Sequence, residues 1–139
     1  MKVRDKKCYT EDDFKVFKKE CRHWQKEFGL VGWDLYFEHR QLPVKEDGQI
    51  APIGQCFIVA EHRVATVRLT KKFPEDTEYA PELNCPKVQA KHEMLHVLFG
   101  RYSCYASSRH ALSRDLDEEE ENIVRILQKV IGSNYENKP

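Results

Sequence analysis

The stretch Lys91-His92-Glu93-Met94-Leu95-His96-Val97-Leu98-Phe99-Gly100 constrains this chain more than any other. Pro86 suits the first turn of a helix, and Val88, Ala90, Met94, Leu95, Val97 and Leu98 then recur at helical spacing. Gly100 stands where a helix would stop. The spacing predicts a helix over Pro86 to Gly100. On it Ala90, Met94, Val97 and Leu98 form an apolar back face that needs burial, while His92 and His96, about one turn apart, share another edge. The fold must cover one side of this helix and leave the other to a cleft. His-Glu-x-x-His also brings two imidazoles together beside a carboxylate. That geometry suits a zinc ion, which needs rigid nitrogen or oxygen ligands and an open position for water whose proton the Glu can take. Two incidental histidines on a surface helix are the plainer alternative, and the correctly placed Glu, the apolar back face and the helix stop weigh against it.

The rest of the chain supplies a layer for that helix to rest on. Thr10 followed by Glu11-Asp12-Asp13 reads as an N-cap and an acidic first turn. Phe14, Phe17, Cys21, Trp24 and Phe28 then give an amphipathic helix that ends near Gly29. His23, among Arg22 and Lys26, reads as a surface residue. Trp33, Leu35 and Phe37 alternate with Asp34, Tyr36 and Glu38 as in a half-buried strand. Leu42 to Ile53, with Pro43, Gly48 and Pro52, punctuates a loop. Gln55–Ala60 and Val64–Leu69 are strand candidates joined by a turn short enough for a hairpin. His39 and His62 fall near strand ends and are expected in solvent. Lys71 to Pro86 reads as a connecting loop, and Arg101 to Arg114 as a second, polar and aromatic one. Ser113 is then expected to cap a last helix, with acid loaded into its first turn and a stripe of Ile123, Val124, Ile126, Leu127, Val130 and Ile131 running to Gly132.

These elements amount to an α+β domain: an N-terminal helix, a small mixed sheet of about three strands, the motif helix and a C-terminal helix. At 139 residues a single domain over 1–139 is expected, long enough to bury a core without metal or disulfide support, with 1–9 and 133–139 flexible. Lys plus Arg equals Asp plus Glu at 23 each, and the positives are scattered through acidic stretches, so nucleic acid is not an expected partner. No apolar run approaches a membrane span, and no apolar stretch follows the basic N-terminus as in a secretory signal. Cys8, Cys21, Cys56, Cys85 and Cys104 are odd in number and widely spaced, which points to free thiols in a reducing cytoplasm, with no structural zinc ribbon.

A zinc site needs a third ligand, and the last helix offers Glu118-Glu119-Glu120-Glu121. Stepping back one turn from the apolar line through 123, 127 and 130 lands on Glu120, whose carboxylate would then be buried unless it binds a metal. Glu121 and Glu119 are the neighbouring choices. His110, fourteen residues past His96, is the non-glutamate alternative.

His92, Glu93, His96 and a downstream glutamate, in this order of elements from about Trp33 to Ile131, resemble the zincin metallopeptidases, and within them the gluzincins found among small phage-borne and bacterial metallopeptidases. The metzincin pattern is not met, because Phe99 and Tyr102 stand where it needs Gly and His. The resemblance implies a minimal zincin-like domain with one Zn²⁺ per chain held by His92, His96 and Glu120, and Glu93 as general base and later proton donor. It implies a peptide or protein substrate, paired in extended form along the strand Val64–Leu69, with Val64, Thr66 and Arg68 as the edge. Tyr102, Tyr105, Arg109 and His110 are the candidates to stabilise the oxyanion. A zinc-stabilised interaction module without catalysis, or a structural protein with an accidental motif, is the alternative from another class. Substrate, cleavage preference and oligomeric state are not legible in the sequence.

Overall fold

The computed structural model describes residues 7–43, 53–73, 85–108 and 112–136. Its elements run α1 (Glu11–Glu27), β1 (Asp34–His39), β2 (Gly54–Val59), β3 (Val64–Leu69), α2 (Pro86–Ser107) and α3 (Ser113–Glu136), with a 3-10 turn at Ala60–His62 between β2 and β3. The class is α+β, with three helices and one small mixed sheet among the described residues.

Thr10 starts α1 through a reciprocal pair: its hydroxyl accepts from the Asp13 amide at 3.2 Å, and the Asp13 carboxylate accepts from the Thr10 amide at 2.9 Å. Two donors that a helix start leaves bare are thereby satisfied. Gly29, at φ 67°, lets the chain leave the helix in the left-handed region. Between these ends Phe17, Cys21 and Phe28 are fully buried, with Phe14 and Trp24 packed beside them. Each such aromatic contributes about 1.5–3 kcal/mol by leaving water.

The sheet order is β1-β3-β2. β3 pairs in parallel with β1, from Asp34 opposite Val64 to His39 opposite Leu69, and antiparallel with β2, from Gly54 opposite Leu69 to Val59 opposite Val64. The expectation that Val64–Leu69 is an open edge is therefore corrected. Both rows of its main-chain groups are already used, and Val64, Thr66 and Arg68 alternate with the buried Ala65, Val67 and Leu69, which packs them onto the face away from the helices. The strand lying against the motif helix is β2.

Across the helix-facing side, Ala65, Val67 and Leu69 join Leu35, Phe37, Cys56 and Ile58 in one core with the back face of α2. That face is Ala90, Met94, Val97 and Leu98, each 5% exposed or less, as the spacing predicts. Gly100 does not stop the helix. α2 continues to Ser107, and a Cβ on Gly100 would stand 3.0 Å from Ile58 Cγ2, so the glycine serves the close approach of α2 to β2.

Two smaller expectations change. Ser113 is the first helical residue of α3, whose start is held by the Asp115 carboxylate accepting the Leu112 amide at 3.3 Å. His39 is not in solvent: its side chain is 6% exposed, Nδ1 lies 2.9 Å from Glu11 Oε1, and its ring stacks on Phe14. That contact holds the Glu11 carboxyl below its usual range. His23 and His62 are exposed as expected. Within the stretch 1–9, Tyr9 is buried and its amide donates to Lys71 O at 2.8 Å, while Phe73 N–H donates to Lys7 O at 2.8 Å. The backbone at 133–136 continues α3. The tails 1–6 and 137–139 and the expected loops over 44–52 and 74–84 lie outside the described residues. No helix among the described residues is long and apolar enough to cross a membrane.

Candidate functional site

Because α2 runs unbroken through Gly100, residues 92, 96, 100, 103 and 104 fall on one helical face at steps of three and four. That face, β2 and the turn after it border a cleft of about 600 Å³ lined by His92, Glu93, His96, Gly100, Ser103 and Cys104 on one side and Gly54, Gln55, Cys56, Ile58 and Ala60 on the other. The motif and the cleft coincide.

His92 and His96 are exposed, and their Nε2 atoms stand 3.3 Å apart with the rings at 83° to one another. Two nitrogens each about 2.0–2.1 Å from one zinc ion and tetrahedrally disposed would be about 3.3–3.4 Å apart, so the pair fits as two ligands of a single metal. Burial and the charge of His92 both push the His96 imidazole down, favouring the neutral form that ligates.

Glu93 is 3% exposed, with Oε1 accepting a hydrogen bond from Gln89 Nε2 at 2.9 Å. Burial pushes its carboxyl up to about 7, and the Gln89 hydrogen bond pulls the other way. A carboxylate with that value takes and returns protons near neutral pH.

The downstream acids are placed differently from the expectation. Glu120 is exposed and does not line the cleft. The stripe that includes Ile123, Ile126 and Val130 continues back to Glu119, not Glu120, because α3 turns its 119–123–126 side towards the core. Glu119 nevertheless faces Arg101 at 3.5 Å, in a separate hollow lined also by Val97, Leu98 and Trp33. Glu121 is exposed and pairs with Arg125 at 3.3 Å. Among the described residues no group of three or more His, Cys, Asp or Glu side chains is placed to hold a metal. His110 and Arg109 lie outside the described residues.

Nor do the two tyrosines reach the histidines. Tyr102 packs against the core, and the Tyr105 hydroxyl accepts from Arg101 Nη2 at 3.2 Å beside an adjoining hollow. Treating 101–107 as loop gave them no helical phase, whereas the phase brings Ser103 and Cys104 to the cleft instead. Gln89, Gly54 and Cys56 are likewise not marked as cleft residues by the sequence. Only Gln89 carries a local signal, lying one turn before Glu93.

No protein-family model, curated protein or solved structure matches the chain. The site rests on its own chemistry.

Proposed function

We propose that the chain is a zinc-dependent peptidase of the zincin kind, in which His92 and His96 hold the metal and Glu93 is the general base. The observation that carries this reading is the 3.3 Å convergence of two imidazole nitrogens beside a buried carboxylate in a cleft. Zinc held there would polarise the scissile carbonyl and acidify water. Glu93 then accepts the water's proton and passes it to the leaving amine. The substrate-pairing role moves to β2: it is bonded to β3 along one side, and its other side carries no strand among the described residues, so an extended peptide can add there. Its residues Gly54, Gln55, Cys56 and Ile58 border the cleft at the same place. All five cysteines are free, which agrees with a reducing, cytoplasmic setting.

One observation favours a second reading, a zinc-stabilised interaction module without catalysis: the described residues offer two histidines and no third donor. The variant Glu93→Gln separates the two. Under the peptidase reading the wild type cleaves a peptide library and binds about one zinc per chain, while Glu93→Gln keeps the zinc and loses at least about a hundredfold in kcat. Hydrolysis surviving in that variant removes Glu93 as the base, and a zinc-loaded wild type inert on the library favours the module.

A further inference from the structure

We infer that Gln89 and Gly54 form a positioning device that fixes one oxygen of the Glu93 carboxylate and presents the other to the cleft. The inference rests on the reading of Glu93 as the base. A glutamine four residues before a glutamate is ordinary on a helix surface, where such a pair contributes a few tenths of a kcal/mol and the side chains move freely. Here both are buried, Gln89 at 5% and Glu93 at 3% exposure, and the amide of one donates to Oε1 of the other at 2.9 Å. Oε2 has no hydrogen-bond partner among the described residues and is not sealed from solvent. It is the oxygen open to a water in the cleft.

The first residue of β2 closes over this pair. A Cβ on Gly54 would stand 2.6 Å from Gln89 Nε2, 3.0 Å from Gln89 Cγ and 2.9 Å from Glu93 Oε1. The glycine is required by this close approach and not by any left-handed backbone, since the positive φ values in the described chain are at Gly29 and Arg63. The main chain of the proposed substrate strand therefore leaves no room for a side chain over the amide–carboxylate pair, coupling the base to the element that would align the peptide. A base held in one rotamer and by one oxygen needs no reorganisation when a proton is transferred.

Three measurements on the full chain test this. In the metal-free wild type, the Gln89 side-chain amide protons should exchange with solvent at least about tenfold more slowly than those of the exposed Gln128. Gln89→Met keeps the volume and removes the donor. It should retain zinc and helical content, leave KM within about twofold and lower kcat about tenfold to a hundredfold, whereas a merely structural role would lower the melting temperature and spare kcat. Gly54→Ala should lower kcat in the same way. Exchange of Gln89 as fast as Gln128, or an unchanged kcat in both variants of an active enzyme, overturns the inference. A wild type without hydrolysis overturns the peptidase reading instead, and the exchange measurement alone then decides whether Gln89 holds Glu93.

Discussion

Arg101 Nε stands 3.5 Å from Glu119 Oε1, so the one glutamate of the acidic run that turns towards α2 meets an arginine there, outside the histidine cleft. A carboxylate with only 15% of its side chain exposed and a cation in contact is already compensated, and moving it to a metal would leave Arg101 without that partner. From this placement, Glu119→Gln, Glu120→Gln and Glu121→Gln should each keep about one zinc per chain. Of the sequence candidates that leaves His110, and His110→Ala should lose the metal. Metal analysis after gel filtration decides it, and zinc lost from Glu120→Gln would show that α3 supplies the ligand.

Removing the metal should weaken the protein without unfolding it. Phe17, Phe28, Leu69, Met94 and Val97 are buried irrespective of any ion, unlike the core of a zinc finger. A ligand at a hundred times its Kd stabilises by about 2.7 kcal/mol, so a chelator should lower the melting temperature by roughly ten degrees and leave the helical signal at 25 °C intact. Collapse of that signal on chelation would contradict an independent core.

Glu93 also makes a pH prediction whose sign is fixed by burial. Its carboxyl is pushed up to about 7 in the folded protein, so the protonated form is favoured by folding. The resulting stabilisation is complete below the unfolded value near 4.3 and is lost as pH rises through about 7. With chelator present, wild type should lose on the order of 1–3 kcal/mol relative to Glu93→Gln between pH 4.5 and pH 8. Urea unfolding of both proteins at the two pH values measures this, and the histidines, common to both, cancel. A gap independent of pH would mean that the carboxylate is not desolvated.

The thiols divide by exposure. Cys8 and Cys104 are exposed, whereas burial pushes Cys56 up to about 12 and Cys21 higher still. A disulfide reagent at pH 8 should modify Cys8 and Cys104 within minutes in native protein and spare Cys21 until it unfolds. Because Cys104 lines the cleft, its modification should also slow any hydrolysis measured in the same sample.

What the chain carried locally was legible by itself. The cap at Thr10 follows from a hydroxyl ahead of Glu11-Asp12-Asp13, and the stripe Phe17–Cys21–Phe28, the bounds of β3 and the back face of α2 follow from periods of 3.6 and 2. The facing of His92 and His96 is likewise a property of residues four apart on any helix. Their partners across space were not legible. Whether β3 is an edge depends on where β1 lies, and nothing in Val64–Leu69 states that. Gly100 reads as a stop until Ile58 is seen to need the missing side chain, and Gly54, between the expected loop and strand, has no reading until Gln89 and Glu93 are found beneath it. The choice between Glu119 and Glu120 is one step of 100° on a helix, which the apolar pattern leaves open and the packing of α3 on α2 decides. Sequence determined the elements and the chemistry each could offer; tertiary structure decided which groups meet, because contacts between distant segments leave no period in either one.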